Sequence, residues 1–123
     1  MKIKNLFKIV TIASVLLFTS ISFGRDYPIL CFGNEWSTGF VTLDGYFYFD
    51  IITHGGCAGA HAYGELEWLN KDGIWKHPSL GCYNQCDNSV IYSGPRWGHD
   101  IIVTCQASEP QQCGTFAIVT VRW

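Results

Sequence analysis

The sequence predicts an all-β fold, a small disulfide-stabilised antiparallel β-sandwich or barrel of about seven or eight strands. Three observations carry this expectation. After residue 24 no long run repeats apolar residues at i, i+3, i+4 and i+7, the spacing by which a helix buries one face. Short β-branched and aromatic runs instead recur between glycine-containing turns. Cys31, Cys57, Cys82, Cys86, Cys105 and Cys113 form an even set in a short chain, as expected for a small domain stapled in an oxidising compartment.

The first element is not a strand. Lys2, Lys4 and Lys8 precede an apolar run from Ile9 to Phe23, and Ser22-Phe23-Gly24 places small residues at its exit. This is the pattern of a secretory signal peptide, so residues 1–24 are expected to be removed and residues 25–123 to form a single secreted β domain, secreted or periplasmic. All ten acids follow residue 24, whereas Arg25, Lys71, Lys76, Arg96 and Arg122 are the only bases there, giving −5 where the whole chain has −2. No second apolar stretch approaches the ~18 residues of a membrane span. An acidic domain with scattered bases lacks the electrostatic footprint of a nucleic-acid or anionic-lipid binder.

A strand is expected over Pro28–Gly33. Next, Thr38–Leu43 and Tyr46–Thr53 flank Asp44-Gly45, the signature of a two-residue type I′ hairpin turn. Pairing Leu43 with Tyr46 puts Phe40, Phe47, Phe49 and Ile51 on a core face, and Val41, Leu43, Tyr46, Tyr48 and Asp50 on the other. A second hairpin joins His61–Leu69 to Ile74–His77 through Asn70-Lys-Asp-Gly73, with Leu69 opposite Ile74, Trp68 against Trp75 and Glu67 against Lys76. Ser89–Ser93 reads as a further strand. A last hairpin spans Asp100–Trp123, its apolar face carrying Ile101, Val103, Cys105, Ala117, Val119 and Val121.

In that hairpin Cys105 either faces Cys113 or one of the two reaches across to Cys31 or Cys57. Cys82-Tyr-Asn-Gln-Cys86 is read as a loop tied to two different strands rather than a zinc site, because a second ligand pair is missing. No cofactor and no metal are expected.

Residues 25–123 hold 16 aromatic residues, more than a core of this size readily hides. Tyr46, Tyr48 and Asp50 share an outward face, as do His61, Tyr63, Glu65 and Glu67; if the strands were neighbours, tyrosines would lie beside carboxylates. Flat rings stack on sugar faces while carboxylates accept hydroxyl hydrogens, and the same composition suits a protein interface or a second packing layer. Trp36 and Trp97 sit in turn-rich stretches, where they serve as recognition anchors or as lids over the sandwich end. The expected ligand site is therefore Trp36, Tyr46, Tyr48, Asp50, Tyr63, Glu65 and Trp97.

His54-Gly-Gly-Cys-Ala-Gly-Ala-His61 packs small residues between two histidines, which suits close backbone approach around Cys57. The tyrosine/acid face and the turn-region tryptophans predict a binding module for a cell-surface glycan or surface protein, in the manner of a toxin-like or effector-like factor. The alternative is an inhibitor or immunity protein that blocks a secreted enzyme with the Gln106–Gln112 loop. A small hydrolase using His54, His61 and His99 is the third reading, with no further catalytic motif to support it.

Overall fold

The computed structural model describes residues 24–91 and 95–123. The expected leader lies outside them apart from Gly24, as do Tyr92 and Ser93 of one expected strand. The described residues form eight strands and no helix: β1 (Asp26–Phe32), β2 (Glu35–Gly55), β3 (His61–Leu69), β4 (Trp75–Lys76), β5 (Ser79–Tyr83), β6 (Cys86–Ile91), β7 (Arg96–Ser108) and β8 (Phe116–Arg122). All pair antiparallel in one open sheet, ordered β1, β8, β2, β7, β3, β4, with β5 beside β3 and β6 beside β2.

The 21-residue β2 organises the molecule. Its first part, Glu35 to Phe47, pairs with β7; its second, Tyr48 to His54, pairs with β8. One strand thus passes from one layer into the other, and the sheet folds over it. A Cβ at Gly64 on β3 would lie 2.6 Å from Ile51 Cγ2 and 2.8 Å from Val119 Cγ2, so the layers meet face to face and glycine leaves room for two branched side chains. Between them Trp68 packs edge-on against Phe47 at 5.0 Å and tilted against Phe49 at 5.8 Å. The expected face of Ile101, Val103, Cys105, Ala117, Val119 and Val121 is buried, as are Phe47, Phe49 and Ile51.

Several expected pairings differ. Asp44-Gly45 is not a turn: neither residue has the positive φ that a type I′ turn requires, and β2 runs through them opposite His99 and Gly98. The ladder instead shifts register between Val41 and Asp44, while Asp100 on β7 takes a φ of 56°. That shift inverts the upstream half of the expected pattern, so Val41 is buried and Phe40 points outward. In the β3–β4 hairpin Leu69 faces Trp75 and Trp68 faces Lys76, one residue away from the expected register. Asn70 Oδ1 accepts from the amides of Asp72 and Ile74, both at 2.9 Å, which draws Ile74 into the turn.

The expected β7–β8 hairpin does not form because β2 lies between the two strands. Cys105 accordingly bonds across the layers to Cys31, and Cys113 bonds to Cys57. Cys82 and Cys86, expected to tie to different strands, bond to each other. They clasp the corner where the chain leaves β5, beside β3, for β6, beside β2, with Asn84 at φ 63°. The glycine-rich segment is a backbone crossing, as expected around Cys57: a Cβ at Gly55 would strike the Asn84 carbonyl, and one at Gly56 the Cys113 carbonyl.

Candidate functional site

The expected site residues separate into three places, because β7 stands between the first part of β2 and β3, while the second part of β2 pairs with β8 and β6. The first is the outer face of the layer built from early β2, β7, β3 and β5. Inward positions alternate strictly there, with Ala62, Leu66 and Trp68 on β3 and Val103, Cys105 and Ala107 on β7 buried, so their neighbours face out. One row across this face reads Trp36, Gln106, Tyr63, Gly81; the next reads Thr38, Thr104, Glu65, Ser79. Phe40, Ile102 and Glu67 continue it. Trp36 is 68% exposed and Phe40 56%, while Tyr63, Glu65 and Glu67 are half-buried by their neighbours.

Trp36 is not on a loop. The Glu35 carboxylate accepts the Phe32 amide at 2.7 Å, closing the turn through Gly33 (φ 65°) so tightly that β2 restarts at Glu35. At the far end of the face His61 stacks on the exposed Tyr83 ring at 4.4 Å. The face therefore offers rings, carboxylates and small hydroxyls on rigid strands.

The second place is one end of the sandwich. Tyr46 on β2 is opposite Trp97 on β7, which is a strand residue and not a loop anchor as expected. Lys71 Nζ donates to the Tyr46 hydroxyl at 3.0 Å and lies 5.1 Å from that ring and 5.7 Å from the Trp97 ring. Beside them opens a cleft of about 680 Å³, lined by Phe49, Trp68, Lys71, Lys76, Arg96 and Trp97 together with Asn70, Asp72, His77, Pro78 and Pro95. Sequence reasoning missed this cleft. Its only signal was that three of the five bases after residue 24 are Lys71, Lys76 and Arg96.

The third place is the outer face of the other layer. Tyr48 is half-buried there, and Asp50 is buried in an ion pair with Arg122, so this carboxylate is engaged. Burial raises the Asp50 pKa above the usual carboxylate value, against the opposing pull of Arg122. The histidines do not converge. His54 pairs with Asp87 and stacks on Phe116, on the face opposite His61, while His99 Nε2 pairs with Asp100 at 3.0 Å. Among the described residues no group of three or more His, Cys, Asp or Glu side chains is placed to hold a metal ion.

Gln106, expected in the wedge loop, belongs to β7, and the loop itself spans residues 109–115. The buried Glu109 carboxylate accepts the amides of Thr115 at 2.9 Å and Cys113 at 3.3 Å, leaving Pro110, Gln111 and Gln112 exposed.

No protein-family model and no curated protein matches the chain. Among solved structures it is similar to PirA, at 15% identity over 80% of this chain and 94% of that one, with a TM-score of 0.39. It is also similar to a chain of the infectious bursal disease virus Gt strain, at 12% identity and a TM-score of 0.40, over 79% of this chain. Only 29% of the viral chain is spanned. Three disulfides fit an oxidising, extracellular setting, and no helix among the described residues is long and apolar enough to cross a membrane.

Proposed function

We propose that the protein is a secreted binding module that recognises a glycan displayed on a cell surface through the outer face of β2, β7 and β3. The row from Trp36 through Gln106 to Tyr63 carries this reading. Trp36, 68% exposed, leaves most of its ring to solvent, and beside it stand Thr104 and Glu65, which meet sugar hydroxyls while the rings cover the C–H faces. The strand backbone that carries these side chains is already ordered, so binding costs no backbone entropy there.

A glycan array followed by titration of the best neutral ligand tests the reading. Trp36→Ala and Tyr63→Ala are each expected to weaken binding about tenfold, ~1.4 kcal/mol. Unchanged affinity in folded variants, or no glycan bound, rejects it. The loop held by Glu109 and Cys57–Cys113 supports a second reading, inhibition of a secreted enzyme by a preorganised Pro110-Gln111-Gln112 wedge. Capture of a stoichiometric enzyme partner that is lost on replacing Gln111 and Gln112 by alanine supports it; retained capture counts against it.

A further inference from the structure

We infer that the cleft at the end of the sandwich is a separate binding site for an anionic sugar, one that carries a carboxylate or a sulfate. The distribution of charge is the first argument. Ten acids and five bases follow residue 24, yet three of those bases line this one cleft with a single acid, Asp72. In an acidic domain such a concentration makes a local attraction for anions that the rest of the surface opposes.

Register is the second argument. Lys76 stands opposite Trp68 and Arg96 opposite Phe47, and both partners are buried inward-facing residues. The two cations therefore occupy positions that the strand pattern assigns to the inner side, and both are exposed there at the sandwich end. Both cations line the same cleft as the packed aromatic pair Phe49 and Trp68.

Shape and wall chemistry narrow the ligand. A volume of about 680 Å³ lies within the ordinary range of small-ligand pockets and suits one or two sugar rings. Trp97 forms a flat wall steadied by Lys71, which also holds Tyr46. A sugar ring stacks its C–H face on that wall while its anionic group meets Lys76 and the planar fork of Arg96. This site shares no residue with the Trp36–Tyr63 row, so each reading stands or falls alone.

Tryptophan fluorescence and calorimetric titration of the purified protein test the inference with four probes: N-acetylneuraminic acid, N-acetylglucosamine 6-sulfate, neutral N-acetylglucosamine and inorganic sulfate. Saturable binding of at least one anionic sugar is expected, at least about tenfold tighter than the neutral sugar and the free sulfate. Which anionic sugar binds identifies the charged group. The affinity should fall about tenfold in Lys76→Ala and in Arg96→Ala, and fall with added salt in the unsubstituted protein, a readout that does not depend on either variant folding. Absence of saturable binding by both anionic sugars, equal binding of neutral sugar or inorganic sulfate, or insensitivity to both salt and the substitutions overturns the inference.

Discussion

Arg122 Nη1 donates to Asp50 Oδ2 at 2.6 Å across β8 and β2, and each residue is only 5% exposed. Burial dominates this pair, because Asp50 titrates above the ordinary carboxylate value although a guanidinium touches it. The folded protein thus holds the Asp50 proton more tightly than the unfolded chain does. Its contribution to stability is full below the ordinary carboxylate pKa and is lost as pH rises through the raised value. Denaturation followed across that window should show stability declining with pH, a slope that Asp50→Asn removes.

The same pair predicts a non-additive cycle. Arg122→Met leaves a buried carboxylate alone and should destabilise by about 3–5 kcal/mol, whereas Asp50→Leu combined with Arg122→Met should fall much nearer the parent. Urea unfolding of the two singles and the double measures the coupling; simple additivity would show that the pair does not act as a unit.

Gly64 fixes how closely the layers approach. Gly64→Ala drives a methyl group into Ile51 and Val119 and should cost about 1–3 kcal/mol. In a Val119→Ala background the same substitution should cost less, because one of the two obstructing branches is gone. Equal cost in both backgrounds would remove the steric explanation.

Loop length ranks the disulfides. Cys31–Cys105 and Cys57–Cys113 are separated by 74 and 56 residues, and Cys82–Cys86 by 4. Replacing both cysteines of either long-range pair by serine should lower stability by about 4 kcal/mol, against about 2 for the short pair, on the loop-entropy account. Peptide mapping under non-reducing conditions checks the connectivity directly.

Two tryptophans should separate function from folding. Trp68→Ala opens a hole beside Phe47 and Phe49 and should cost about 3–5 kcal/mol, whereas Trp36→Ala should change stability by no more than about 0.5. Thermal melts of both decide this, and a large loss in the Trp36 variant would assign that ring to packing.

Much of the fold could be read from local pattern. The all-β class, the number of strands and the buried faces of β7 and β8 follow from alternation and turn residues, which are properties of neighbouring positions. What the pattern could not supply was which strand lies beside which. Asp44-Gly45 and the β7–β8 loop both carry hairpin chemistry, yet long-range partners set the pairing: β7 aligns both sides of Asp44-Gly45, and β2 inserts between β7 and β8. The disulfides and the site inherited that gap. Trp36 and Tyr63 come together through Gln106, a residue distant from both in sequence, and the cleft depends on a one-residue register set by the Asn70 side chain.

The long strand β2 also imposes an order in time. Its second half pairs on one side with β6 and on the other with β8, more than 60 residues further along, so Phe49 faces Val121 and Ile51 faces Val119. While the chain emerges from its amino end, that half of β2 has no β8 to pair with until residues 116–122 arrive. Completion of this part of the fold must wait for residues 116–122, as expected where distant pairings dominate. An incomplete chain would leave an aromatic, β-branched strand edge open to capture by a chaperone or by another copy.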